Sequence, residues 1–127
     1  MHINFNRGHN IAKVVHFEVV GKDGKGLQNF YSKSFDWEIN TDNPIIYGIV
    51  SASGEGNIGG GIAATQDGSA GYATFYIEVD DLQASLDKVE SLGGKTVVPV
   101  TEIPGMVTYA MFTDPEGNLV GLVKSEH

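Results

Sequence analysis

Histidine and glutamate side chains in two alternating segments are the best candidates for acid–base chemistry in this chain. His16 and Glu18 are two residues apart in the run VVHFEVV (14–20), so a β-strand places both on one face. Glu78 lies in a second such run, YATFYIEV (72–79). Histidine titrates near neutral pH, and two carboxylates in a partly dry site can share a proton. His16, Glu18 and Glu78 are therefore candidate catalytic residues, the alternative being a structural histidine and two solvated glutamates.

Three tyrosines in predicted strands are candidates for lining a ligand pocket. A tyrosine combines an apolar ring with a hydroxyl group that can orient a polar ligand. Aromatic residues in strands also occur in cores and interfaces, so both roles stay open. The three are Tyr47, Tyr76 and Tyr109.

The run GEGNIG (54–59) fits the letters GxGxxG of dinucleotide-binding loops. That function requires a strand before the loop and a helix after it, whereas two further glycines here lead into another predicted strand. Nucleotide binding is therefore not expected. Gly59, Gly60 and Gly61 instead leave a strand without side chains, which makes room for a ligand or for close packing.

The composition excludes several classes of function. The chain has 127 residues, with eight Lys and Arg against sixteen Asp and Glu, a net charge of −8. Without a basic cluster it is not expected to bind nucleic acid or an anionic membrane surface. Without cysteine it can have no disulfide bond, thiolate nucleophile or Cys-ligated metal. No targeting segment or membrane span is visible, so a cytoplasmic location is expected.

Hydrophobic patterning predicts the element order βαβββ twice within a single domain over 1–127. An N-terminal arm is expected over 1–12, a first module over about 13–65 and a second over about 71–124. Helices are predicted over 26–35 and from the Asp80-Asp81 cap to Gly93-Gly94. The predicted strands are 14–20, 36–41, 45–51, 58–65, 72–79, 96–103, 106–113 and 118–124.

Four segments together resemble the vicinal oxygen chelate superfamily, which includes glyoxalase I, extradiol dioxygenases and bleomycin-resistance proteins. They are VVHFEVV (14–20), NFYSKSFDWEI (29–39), YIEVDDLQASLDKVESLGGKTV (76–97) and FTDPEGNLVGLV (112–123). The sequence looks most like small proteins related to lactoylglutathione lyase. The resemblance implies an α+β fold in which two tandem βαβββ modules form an open, curled, eight-stranded barrel-like sheet around a concave site, with the helices outside.

The same resemblance implies where a metal ion would bind. In metal-dependent members the ligands come from the first and last strands of each module, which here correspond to His16, Gly61, Thr74 and Gly121. Only His16 has a suitable side chain, because glycine offers none and threonine binds divalent metals poorly. No metal cofactor is expected, although a divalent metal remains possible. The other three positions are expected to contact a ligand.

Two functions are left open. The first is a small-molecule-binding protein of the bleomycin-resistance type with an incomplete metal site, whose acidic cleft suits cationic or polar aromatic compounds. The alternative is a glyoxalase-like lyase or isomerase, or a dioxygenase relative, that uses a reduced or unusual metal site around His16. A homodimer is expected, because open sheet edges and exposed aromatic surface are commonly covered by two-fold association.

Overall fold

The chain folds into one open sheet of eight strands with two helices packed on one of its faces. This computed structural model describes residues 12–52, 54 and 56–125, so the predicted arm lies outside the described residues apart from Ala12. The helices are α1 (Gly24–Phe35) and α2 (Leu82–Ser91). The strands are β1 (Lys13–Gly21), β2 (Ile39–Asn40), β3 (Gly48–Val50), β4 (Gly59–Ala64), β5 (Tyr72–Val79), β6 (Lys95–Ile103), β7 (Val107–Thr113) and β8 (Leu119–Lys124).

The first strands of the two modules lie side by side at the centre of the sheet. The strand order is β2-β3-β4-β1-β5-β8-β7-β6, with β1 antiparallel to β5. Each module pairs its first strand in parallel with its last, β1 with β4 and β5 with β8. The sheet does not close, because β2 and β6 remain at its two edges. The predicted α+β fold, with two βαβββ modules and an open sheet, is confirmed.

Strand alternation divides the sheet into two chemically different faces. One face packs against the helices, and in the second module it holds a buried apolar cluster from α2 and the sheet: Leu82, Leu86, Ala110, Phe112, Val120 and Leu122. The opposite face carries His16 and Glu18 of β1 together with Thr74 and Tyr76 of β5, which pair directly across the two strands. We call this second surface the helix-free face.

Strands β2 and β3 are shorter than the sequence predicts. They span two and three residues, where 36–41 and 45–51 were expected. Asp36 ends α1 with a φ of 57°, and Asn43 organises the following connection. The Asn43 side chain accepts a hydrogen bond from the Tyr47 N–H at 2.9 Å and donates one to the Tyr47 carbonyl at 2.7 Å. These turns use backbone groups that longer strands would need for pairing.

Local capping signals in the sequence correspond to real helix ends. The carboxylates of Asp23 and Asp81 each accept a hydrogen bond from the backbone N–H three residues later, which satisfies a donor at the start of α1 and α2. Helix α1 begins at Gly24, two residues before the predicted start. Gly93 follows α2 with a φ of 101°, as expected for a glycine helix end. In the described part of the chain, neither helix has the length and apolar character needed to cross a bilayer.

Candidate functional site

The centre of the helix-free face holds a buried carboxylate, Glu18, of which 7% is exposed. Three tyrosine hydroxyls donate hydrogen bonds to it. Tyr47 bonds Oε2 at 2.7 Å, while Tyr72 and Tyr76 each bond Oε1 at 3.1 Å. A buried charge is tolerated only when it is hydrogen-bonded or paired, and these three neutral donors meet that requirement. We refer to Tyr47, Tyr72 and Tyr76 as the tyrosine cage.

Two members of the cage are positioned by the pairing of β1 with β5. Glu18 lies opposite Thr74, so Tyr76 and Tyr72 stand two pairs away in either direction, opposite His16 and Val20. Alternate residues of a strand share a face, and diagonal neighbours across a sheet lie within reach of an aromatic side chain. The two hydroxyls therefore approach the Glu18 carboxyl group from both sides.

The third member, Tyr47, reaches the site from the connection before β3. Asn43 binds its backbone N–H and carbonyl, and the preceding Ile46 has a φ of 54°. Such a left-handed conformation is rare for a β-branched residue. The ring lies over Gly61, where an added Cβ would be 1.8 Å from the Tyr47 Cζ atom. Gly61 therefore leaves the space that the Tyr47 ring occupies.

The second module repeats this arrangement at Gly121, which pairs with Tyr76 across β5 and β8. A Cβ on Gly121 would lie 2.4 Å from two carbons of the Tyr76 ring. The Tyr76 hydroxyl oxygen also lies 3.8 Å from the Met111 sulfur, and Tyr109 packs edge-on against Tyr76 with ring centroids 6.5 Å apart. Of the two roles considered for Gly59, Gly60 and Gly61, close packing is the one seen at Gly61, and Gly121 packs against a tyrosine ring in the same way.

His16 extends the network by one further hydrogen bond. Its Nε2 atom lies 2.9 Å from the Tyr47 hydroxyl, and its ring stacks on Tyr47 at an interplanar angle of 18°. Burial lowers the pKa of His16, and the nearby negative charge of Glu18 opposes this in part. The pKa values of the cage hydroxyls are raised, first by burial and then by the charge of Glu18. Near neutral pH the site therefore contains a neutral imidazole and protonated tyrosines.

Glu78 does not belong to this cluster. It lies opposite Lys13, whereas Glu18 lies opposite Thr74, four residues earlier in β5. At about 3.4 Å per residue, that offset separates the two positions by roughly 14 Å. The hypothesis that Glu18 and Glu78 share a proton is therefore wrong. Because β1 and β5 are antiparallel, the end of β5 lies beside the start of β1, away from Glu18.

The four positions that the resemblance assigns to metal ligands lie on one face of adjacent strands, but their side chains do not fit a divalent metal. Tyrosine rings cover Gly61 and Gly121, and the Thr74 hydroxyl donates to the Leu119 carbonyl at 2.5 Å. Only His16 offers a good donor atom. Within the described residues, no group of three His, Asp or Glu side chains is placed to hold a metal ion.

Sequence reasoning missed Tyr72 and Asn43. Tyr72 precedes Tyr76 by four residues, so continuing the two-residue alternation to the start of β5 would have placed both on the same face. In the sequence, the pair Asn43-Pro44 indicates only a break between two predicted strands. No local sequence pattern indicates that Asn43 holds Tyr47, because that role depends on the distant Glu18 to which the tyrosine hydroxyl bonds.

Two surface depressions lie at the edges of the sheet. One, of about 710 Å³, is lined by residues 38–42 and Ser51, and the other, of about 430 Å³, by residues of 102–108 with Lys124 and Ser125. Neither contains Glu18 or a cage tyrosine. The rings of Tyr47 and Tyr76 occupy the space beside Gly61 and Gly121, so the Glu18 carboxylate is covered by its own cage.

Comparison with known proteins gives a consistent result. A sequence model of the Glyoxalase/Bleomycin resistance protein/Dioxygenase superfamily matches residues 13–122. CFP32 of Mycobacterium bovis, whose name includes the word glyoxylase, is 31% identical over 112 residues, which cover 79% of this chain and 41% of CFP32. A glyoxylase-like domain-containing protein of Didymella fabae is 30% identical over 111 residues, 80% of this chain and 84% of that protein.

A solved structure shows the same fold. A member of this superfamily from Vibrio splendidus 12B01 has a TM-score of 0.56 and 16% identity, covering 91% of this chain and all of that one. The relatives differ in length, and this chain spans about two fifths of CFP32.

Proposed function

Because the chain belongs to the glyoxalase/bleomycin resistance protein/dioxygenase superfamily, we propose that it binds a small organic cation on the helix-free face, without a metal ion. Membership of this superfamily supports small-molecule binding in general. One observation carries the choice of a cation, namely the buried carboxylate of Glu18 enclosed by tyrosines.

The charge of Glu18 is left uncompensated by its neighbours. All three of its hydrogen-bond partners in the described part of the chain are neutral hydroxyls. A charge out of water exerts a stronger field than one in bulk solvent, so a cation held against the cage is attracted to it. The net charge of −8 acts in the same direction and disfavours anionic ligands.

The aromatic side chains around Glu18 add to this preference. Tyr47, Tyr72, Tyr109 and His16 are half-buried, so part of each ring faces outward. The negative face of a tyrosine ring attracts a cation, with a contribution of about 0.5–2 kcal/mol depending on how far the cation is desolvated. A ligand with an aromatic body and one positive charge matches both features of the surface.

The proposal includes a cytoplasmic homodimer. The two edge strands of the open sheet support association, since each has unpaired backbone groups. On β6 the side chains of Val97 and Val100 are 52% and 42% exposed, which gives that edge an apolar character. Burying such side chains against a second copy is favourable.

Isothermal titration calorimetry with phenethylammonium and its uncharged analogue 2-phenylethanol tests cation binding. We expect the cation to bind more tightly, and Glu18→Gln to weaken it about tenfold. Glu78→Gln is the matched control, because it changes the net charge equally at a position outside the cluster. Equal losses in both variants, or no preference for the cation, would overturn the proposal. Binding that appears only with added Zn²⁺ or Ni²⁺ would replace it with the metal-dependent lyase or isomerase around His16.

A further inference from the structure

We infer that His16 is held with its proton on Nε2 and presents Nδ1 as a hydrogen-bond acceptor to an N–H group of the bound molecule. The inference rests on the proposed function and narrows its ligand class. It selects protonated primary or secondary amines over quaternary ammonium ions, which carry no N–H.

The direction of each hydrogen bond follows from counting protons. Tyr47 has one O–H, and it donates this to Glu18 Oε2 at 2.7 Å. The 2.9 Å contact between the Tyr47 oxygen and His16 Nε2 must then be donated by the histidine. A neutral imidazole carries a single N–H, so Nδ1 is left without a proton.

The reverse direction would need a proton on Glu18. In that case Glu18 Oε2 would donate to Tyr47, whose hydroxyl would donate to His16 Nε2. Tyr72 and Tyr76 both bond Oε1, so the direction at Oε2 rests on the Tyr47 contact itself. Its length of 2.7 Å falls in the short range of a hydroxyl that donates to an ionised carboxylate, which accepts on both oxygens and donates on neither. The arrangement therefore favours the chain His16 to Tyr47 to Glu18.

The surroundings of His16 leave Nδ1 available. The described residues give this atom no hydrogen-bond partner, while Tyr47 stacks on the ring and Tyr76 packs edge-on with centroids 5.6 Å apart. The ring is thus held in place by two aromatic neighbours. Burial lowers the pKa of His16, which keeps the imidazole neutral and Nδ1 able to accept. A cation drawn by Glu18 and carrying an N–H satisfies this acceptor.

Nitrogen-detected NMR of ¹⁵N-histidine-labelled protein at slightly alkaline pH tests the tautomer. The His16 signals, assigned by their loss in His16→Gln, should show a protonated Nε2 and a bare Nδ1. Tyr47→Phe should remove this preference. Tyr72→Phe is the matched control, because it takes one hydroxyl from Glu18 without touching His16, and it should retain the preference.

Glu18→Gln supplies the opposite prediction. The glutamine amide can donate to Tyr47, which frees the tyrosine proton for His16 Nε2, so the proton should move to Nδ1. A bare Nε2 on His16 in the unmodified protein would overturn the inference.

The ligand is tested with phenethylammonium and its N,N,N-trimethyl derivative. The primary amine should bind at least about tenfold more tightly, because a quaternary ion would cover the Nδ1 acceptor and leave it without a hydrogen bond. The difference should disappear in His16→Phe. Equal affinities overturn the inference while leaving cation binding intact, whereas failure of both compounds to bind overturns the ligand assignment and the proposed function together.

Discussion

Tyr76 lies directly against Gly121 of the neighbouring strand, so close that a Cβ on residue 121 would be 2.4 Å from the ring carbons Cδ2 and Cε2. The glycine thus makes room for one of the hydroxyls that hold Glu18. Tyr47 and Gly61 repeat this relationship in the first module. The family resemblance assigns metal ligands to positions 61 and 121. Here the glycines at these positions leave space for two tyrosines that hydrogen-bond the Glu18 carboxylate.

Gly121→Ala should lower the free energy of unfolding by about 1–3 kcal/mol, because the new methyl group overpacks a buried ring. Gly61→Ala should cost less, since the clash is with the outer end of the half-buried Tyr47 side chain, which can swing away. Urea denaturation measures both. Combining Gly121→Ala with Tyr76→Leu should cost less than the two single changes added together. Strict additivity would mean that the residues do not contact each other.

The cage tyrosines should stay protonated well above the usual pH for tyrosine. Burial and the charge of Glu18 raise the pKa values of Tyr47, Tyr72 and Tyr76. In a near-ultraviolet absorbance titration to about pH 11, at most two of the five tyrosines should ionise in the folded protein, and all five in denaturant. The stability from these groups is complete below about pH 10 and is lost as the pH rises further. Ionisation of four or more in the folded state would contradict the cage.

His16 should make the protein less stable in mild acid. Its pKa is lowered in the folded state, so the unfolded chain binds the proton more readily as the pH falls below 6.5. His16→Gln lacks this contribution, so its free energy of unfolding should fall less between neutral pH and about pH 5.5. Urea denaturation of both proteins across that range measures the difference. If the free energies of unfolding of the two proteins change in parallel with pH, His16 has the same pKa in the folded and unfolded states.

Treatment with a chelator should change neither the melting temperature nor the affinity for phenethylammonium. The expectation rests on the donor atoms, because Gly61 and Gly121 have none and the Thr74 hydroxyl is bonded to Leu119. Elemental analysis before and after treatment checks the metal content. A stoichiometric ion bound by His16 and two other side chains would contradict this prediction.

The homodimer should appear in light scattering as twice the 13.6 kDa chain mass across a dilution series. Val97→Lys should weaken it by placing a charge on the β6 edge, where this side chain is 52% exposed. Leu92→Lys, at a 70% exposed position after α2, is the control and should leave the mass unchanged. A single-chain mass at micromolar concentration would refute the dimer.

Local patterns in the sequence were sufficient to predict the fold class. The alternation in 14–20 and 72–79 placed His16 with Glu18 and Thr74 with Tyr76, because the period of a strand depends on its own backbone alone. The two aspartate caps and the glycines after α2 were likewise readable, since caps involve residues three or four apart. Two βαβββ modules followed from the repetition of these signals.

The composition of the site depended on tertiary structure. The antiparallel register of β1 and β5 places Glu78 opposite Lys13. The same register places Tyr72 and Tyr76 on either side of Glu18. Register arises from pairing between distant segments, which no local period encodes. Tyr47 reaches Glu18 only because Asn43 shapes its connection and Gly61 leaves space beneath its ring. The sequence by itself determined which residues could do chemistry, and long-range packing decided which of them meet.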